Sequence, residues 1–81
     1  MTQTDIEALL RAELHRIAPD IELDEVDRDE DLREEFDIDS LDFLNLVTAL
    51  GKALNTEMPE ADYQHMGSYN EMIAYLTQKA A

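Results

Sequence analysis

An acidic segment ends and an apolar helix begins within FDIDSLD, residues 36–42. Asp39 is predicted to be the N-cap of this helix, because its carboxylate can accept hydrogen bonds from the unpaired amides of the first turn. Asp42, three positions later, stands where a capping box has its acidic member. Both carboxylates also favour the positive end of the helix dipole. Ser40 therefore takes the first helical position, and the cap formed by Asp39 leaves the Ser40 hydroxyl without an assigned role.

Apolar spacing and capping signals predict an all-α fold, a small four-helix bundle with a short third helix. The helices are expected over residues 5–18, 40–54, 59–65 and 68–79. Thr4, with Glu7 three residues later, is the expected cap of the first helix, and Pro19 stops that helix. Ser68 and Glu71 form the capping pattern that opens the last helix.

The connection between the first two helices, residues 19–39, is long and strongly acidic. Residues 20–39 hold 12 of the 20 acidic side chains against only Arg28 and Arg33. Connections of this length are usually functional or disordered. Regularly dispersed apolar residues favour an ordered loop, pinned at Ile21, Leu23, Val26, Leu32 and Phe36. Residues 31–36 are expected to form a short helical turn.

The second helix has two apolar faces. At about 100° per residue, one stripe faces the core, and it consists of Phe43, Leu46, Val47, Leu50 and Leu54. Leu41, Leu44 and Thr48 fall on another face, centred roughly 130° away. Because this second face adjoins Ser40, we predict that it docks a partner protein. The alternative is that a neighbouring loop covers it.

The composition bounds the class of protein. The 81 residues carry a net charge of −14 and contain no cysteine, which excludes disulfides and thiolate metal sites. An acidic field of this size repels nucleic acid and anionic lipid, and it attracts basic protein surfaces. No apolar run approaches the roughly 18 residues of a membrane span, and the first residues lack the features of a signal peptide. We expect a single cytoplasmic domain over residues 1–81, monomeric and binding no nucleic acid.

The segment Asp39-Ser40-Leu41 resembles the motif that opens the second helix of acyl carrier proteins, and the resemblance extends over nearly the whole chain. Glu57-Met58-Pro59 before the third helix and Tyr75-Leu76 near the end of the last one match further patterns of that family, at its spacing from Ser40. One departure is Asp37, where the family commonly has glycine. Others lie along the second helix, at Asn45, Gly51 and Lys52, where fatty-acid carriers tend to have acidic residues.

The resemblance implies a non-catalytic carrier. Ser40 would hold 4'-phosphopantetheine, attached from coenzyme A by a phosphopantetheinyl transferase, and the thiol of this arm would carry acyl groups as thioesters. Partner enzymes with basic docking surfaces, in fatty acid, polyketide or related specialised biosynthesis, would load and receive these groups. The expected docking residues are Asp39, Leu41, Asp42, Leu44 and Thr48. The departures along the second helix favour a pathway-dedicated carrier. Candidates to line an acyl chain inside the bundle are Leu46, Val47, Leu50, Met58 and Met66.

A serine hydrolase is disfavoured, because Ser40 lacks a Gly-x-Ser-x-Gly elbow. The histidines that could act as its base, His15 and His65, are not tied to Ser40 by any sequence pattern. An unmodified acidic helical module that only binds proteins stays open as the alternative. Its function would survive Ser40→Ala, whereas a carrier would lose all acyl loading.

A dedicated calcium site is also disfavoured. Asp27, Asp29 and Asp31 match positions one, three and five of an EF-hand loop. Position six would then be Leu32, where the turn needs glycine, and position twelve would be Ile38, where a bidentate glutamate is needed. The match therefore fails at both diagnostic places.

Overall fold

The computed structural model describes residues 2–80, which form an all-α fold without β-strands in that range. Its α-helices are α1 (Gln3–Ile17), α2 (Leu32–Glu35), α3 (Ser40–Leu54) and α4 (Tyr69–Ala80), and a 3₁₀ helix spans Glu60–His65. α1 packs against both α3 and α4, and the 3₁₀ helix packs against α4. The predicted helical bundle is therefore confirmed. None of the described helices is long and apolar enough to cross a membrane.

The predicted cap of the first helix is wrong by two residues. Thr2, rather than Thr4, is the N-cap: its hydroxyl accepts the Asp5 N–H and the Asp5 carboxylate accepts the Thr2 N–H, each at 3.2 Å. Two capping patterns overlap here, Thr2 with Asp5 and Thr4 with Glu7. Only the first forms a cap, because the Glu7 carboxylate bonds to residues outside α1. The Glu7 carboxylate instead pairs with Arg28 at 3.1 Å and accepts the Tyr69 hydroxyl at 2.9 Å.

The other helix boundaries follow their local signals closely. The turn expected over residues 31–36 is α2, with Asp31 as its cap. The short third helix has 3₁₀ geometry and begins one residue later than expected, after Pro59. Ser68 caps α4 as predicted, because its hydroxyl accepts the Glu71 N–H at 3.1 Å.

The core lies between α1, α3 and α4, and the long loop contributes to it. Leu32 and Phe36 are buried as expected, and Ile38 joins them. The loop is also tied to the start of α4, since the Leu32 N–H donates to the Gly67 carbonyl at 2.8 Å. Four of the residues expected in the core or as loop anchors are only half-buried, namely Ile21, Leu23, Val26 and Leu54.

Candidate functional site

Ser40 is the first residue of α3, and Asp39 is its N-cap. The Asp39 carboxylate accepts the Asp42 N–H at 2.8 Å, as predicted. Among the described residues, the reciprocal bond from the Asp39 N–H to the Asp42 carboxylate is not formed, so the capping box is only half complete. The cap leaves the Ser40 side chain exposed at the start of the helix.

The turn before Ser40 depends on Asp37, the position where acyl carrier proteins commonly have glycine. Asp37 has a φ of 51°, in the left-handed region. Glycine enters this region freely, and aspartate is among the few other residues that tolerate it. Buried Phe36 and Ile38 flank the turn, and the Ile38 N–H returns to the Arg33 carbonyl at 3.0 Å. The chain therefore reverses between α2 and α3 and brings Ser40 beside α2.

Arg33 contacts the candidate serine directly, although no pattern in the sequence indicates this contact. Its Nη2 donates a hydrogen bond to the Ser40 Oγ at 2.7 Å. No histidine contacts Ser40 among the hydrogen bonds of the described residues, and a guanidinium cannot accept a proton. Within residues 2–80 the site therefore holds an exposed hydroxyl beside a cation, with no histidine hydrogen-bonded to that hydroxyl.

The predicted docking residues lie on the first part of α3 and its cap, but they do not share one groove. Leu41 and Leu44 are the large exposed apolar residues of α3, at 65% and 44% exposure. Leu44 lines the groove that contains Ser40, whereas Thr48 lines a second groove. Asp42 is half-buried and faces a third depression, beside the Asp37 turn. The docking role of these residues stays a prediction.

The groove beside Ser40 has a volume of about 570 Å³. Buried Phe43 and Met66 line it, and the Tyr63 ring meets Phe43 edge-on at 5.8 Å between centroids. Polar residues at its border include Arg33 and Glu60. The groove therefore joins the hydroxyl of Ser40 to an apolar surface between α3 and the 3₁₀ helix.

The residues expected to line an acyl chain are divided by the fold. Met66 lines the groove beside Ser40. Val47 and Met58 line the second groove, of about 560 Å³. Leu46 and Leu50 are fully buried in the core and line neither groove. The role of all five in binding an acyl chain stays a prediction.

The 3₁₀ helix that forms one wall of the groove is held to α4 by Asp62. The Tyr75 hydroxyl donates to the Asp62 carboxylate at 2.6 Å, and the Lys79 ammonium lies 3.8 Å from it. The pKa of Tyr75 is raised to about 12, mainly because the phenol is buried and also because it donates this hydrogen bond. Tyr75 therefore donates to Asp62 as a neutral phenol, and this hydrogen bond links α4 to the 3₁₀ helix.

The aspartates of the long loop serve as hydrogen-bond acceptors within the fold. Asp27 accepts the Asp29 N–H at 2.9 Å, and Asp29 accepts the Asn70 side-chain amide at 2.8 Å. Asp31 caps α2 by accepting the amides of Arg33 and Glu34. Residues 2–80 contain no cluster of three or more side chains suited to hold a metal ion.

Comparison with known proteins agrees with this geometry. The model of the phosphopantetheine attachment site family matches residues 5–76, which include α2, the Asp37 turn and Ser40. No curated protein gave a significant match to the chain. Domains of this family are attachment sites for covalent 4'-phosphopantetheine, are generally non-catalytic, and work with partner enzymes and a phosphopantetheinyl transferase. The chain therefore belongs to the phosphopantetheine attachment site family and is a carrier domain of the acyl carrier type.

Proposed function

We propose that residues 1–81 form a single, monomeric, cytoplasmic acyl carrier domain whose phosphopantetheine arm is attached to Ser40. The observation that carries this proposal is the exposed Ser40 hydroxyl at the first position of α3, within the family match. The site fits the group, because the hydroxyl is accessible, a cation contacts it, and a groove with apolar walls begins beside it. When attached, the arm supplies a thiol that carries acyl groups as thioesters.

Attachment requires the Ser40 hydroxyl as a nucleophile. Its Oγ forms a bond to the pantetheine-bearing phosphorus of coenzyme A, the bond from that phosphorus to 3',5'-ADP breaks, and 3',5'-ADP leaves. The hydroxyl proton must pass to a base. Arg33 cannot accept it, and within the described residues the Ser40 Oγ has no hydrogen bond to a side chain that could. We assign the base to the transferase, with this chain as its substrate.

Partner enzymes would meet a surface that is both acidic and apolar. Leu41 and Leu44 project beside Ser40, and Asp39 and Asp42 flank it on the same helix end. Exposed leucines next to carboxylates suit a basic partner surface with an apolar pocket. Long-range attraction from the net charge of −14 would speed the encounter.

The cargo would belong to a dedicated pathway of fatty acid, polyketide or related specialised biosynthesis. Two positions of α3 support this, since Asn45 and Lys52 stand where fatty-acid carriers tend to have acids. The glycine at position 51 is instead explained by the fold. A Cβ atom there would lie 3.0 Å from the Thr56 carbonyl, where the chain turns back after α3. The absence of an acidic residue at position 51 therefore does not distinguish a pathway-dedicated carrier from a general fatty-acid carrier.

Intact-protein mass after incubation with coenzyme A, magnesium and a broad-specificity phosphopantetheinyl transferase tests the proposal. Wild type should gain one phosphopantetheine, and Ser40→Ala should gain none. Ser68→Ala is the matched control, because Ser68 is the other serine of the chain and is buried as the cap of α4. Ser68→Ala should be modified like wild type. An unmodified wild type, beside a modified positive-control carrier, would favour an unmodified protein-binding module.

A further inference from the structure

Arg33 has an unusual environment for a cation in so acidic a chain. In residues 2–80 every other arginine pairs with a carboxylate: Arg11 with Asp24, Arg16 with Glu13 and Arg28 with Glu7. Arg33 lies in the most acidic segment of the sequence, yet within those residues no carboxylate oxygen comes within 4.0 Å of its guanidinium. It donates instead to the neutral hydroxyl of Ser40, at 2.7 Å.

The position of Arg33 is built into the fold. Its amide donates to the Asp31 carboxylate at 2.8 Å, and its carbonyl accepts the Ile38 N–H at 3.0 Å. The preceding residue, Leu32, is buried and bonded to the Gly67 carbonyl. Hydrogen bonds therefore fix the backbone of Arg33 and the turn that returns the chain to Ser40. This arrangement brings the Arg33 side chain within hydrogen-bonding distance of Ser40.

An anion at Ser40 would meet carboxylates on several sides. Asp39 and Asp42 lie on the same helix end, while Asp31 and Glu60 line the groove that contains Ser40. A phosphodiester carries a negative charge, so attachment brings like charges together. Arg33 already touches the oxygen that would bear the phosphorus, and a guanidinium is well suited to phosphate oxygens.

We propose that Arg33 is a positioning residue for attachment of the arm and then becomes the counter-ion of the phosphodiester on Ser40. This inference rests on the proposed function. Before attachment, the Arg33 hydrogen bond occupies one of the two acceptor lone pairs of the hydroxyl and leaves the other free to form the bond to phosphorus. The bond changes and the fate of the proton are those described above for coenzyme A. After attachment, Arg33 offsets the repulsion between the new anion and the nearby carboxylates.

A thermodynamic cycle separates this role from a merely structural one. The free energy of unfolding is measured in urea for the unmodified and the phosphopantetheine-bearing forms of wild type and of Arg33→Gln. A structural role would make Arg33→Gln equally costly in both forms. The proposed counter-ion makes it costlier in the modified form, by about two- to fivefold in the unfolding equilibrium constant, as expected for an exposed ion pair. That excess should shrink in high salt.

Lys52→Gln is the matched control. It also removes one positive charge, but Lys52 lies roughly 18 Å along α3 from Ser40 at the rise of an α-helix. Its effect should be equal in the two forms. Arg33→Lys, which keeps a positive charge at this position, should restore part of the excess, because an ammonium pairs with a phosphate as a point charge.

Initial rates of attachment provide a second measurement. Arg33→Gln should reduce kcat/KM of the transferase about tenfold, in line with the loss of one charge-assisted contact, and Lys52→Gln should not. Equal costs of Arg33→Gln in the two forms, with wild type fully modified, would overturn the inference and leave the proposed function intact. An unmodified wild type would overturn both.

Discussion

Removing the hydroxyl of Tyr75 should loosen the wall of the groove without disturbing the core. Tyr75→Phe keeps the buried ring and the Lys79 ammonium 5.6 Å above it, so it deletes only the 2.6 Å bond to Asp62. A bond to a charged acceptor contributes about 1.5–3 kcal/mol when it is well shielded. Because the Asp62 side chain is 30% exposed and keeps Lys79 nearby, we expect a loss of about 1 kcal/mol at neutral pH.

The same bond predicts how stability depends on pH. Folding raises the pKa of Tyr75 from 10.0 to about 12, so the folded protein holds this proton more tightly than the unfolded chain does. The stabilisation is therefore fully present below pH 10 and is lost as the pH rises from 10 through 12. The stability difference between wild type and Tyr75→Phe should shrink over this range. The pKa of Tyr69 is also raised by burial, but Tyr69 is common to both chains and its contribution cancels.

Urea unfolding followed by circular dichroism, at pH 8 and at pH 11.5, measures both effects. Hydrogen exchange should also quicken at the Asp62 and Met66 amides, whose bonds to the Pro59 and Tyr63 carbonyls hold the 3₁₀ helix. Tyr63→Phe is the control, because no hydrogen bond of its hydroxyl is formed with the described residues. A Tyr75→Phe protein as stable as wild type at pH 8, or a difference that persists at pH 11.5, would refute the reasoning.

Two further predictions concern the turn and the exposed face. Asp37→Gly should change the free energy of unfolding by less than about 0.5 kcal/mol, whereas Asp37→Val should cost about 1–2 kcal/mol, since a β-branched residue is strained at a φ of 51°. Urea unfolding of both variants checks this, and a tolerated valine would contradict it. Leu41→Ala and Leu44→Ala should leave stability within about 0.5 kcal/mol, because both leucines are exposed. They should weaken binding to the transferase about tenfold by calorimetry, and unchanged affinity would exclude a docking role.

Features that depend on neighbours in sequence were predictable. The range of α3 follows from its apolar spacing. The cap of α3 at Asp39 and the cap of α4 at Ser68 each depend on a bond between residues three positions apart. The start of α1 could not be predicted, because Thr2 and Thr4 offer equivalent local capping patterns. The choice between them depends on the distant partners of Glu7, which are Arg28 and Tyr69.

The position and exposure of Ser40 could be predicted, and its surroundings could not. The capping signal at Asp39 places Ser40 at the first position of α3, and periodicity places Leu44 on the adjoining face. The contact with Arg33 requires the backbone of Asp37 to be left-handed, which no periodicity reports. The one available signal was that Asp37 stands at a position commonly held by glycine. Likewise, the division of the apolar residues between two grooves depends on how the 3₁₀ helix packs against α3.

The most direct test of the central claim is to locate the added group on the loaded wild-type protein by tandem mass spectrometry of its proteolytic peptides. The phosphopantetheine should lie on the peptide that contains residues 39–41, and fragment ions should assign it to Ser40. Attachment to Ser68 or to any threonine, or an unmodified Ser40 in protein that has gained the mass, would show that Ser40 is not the attachment site.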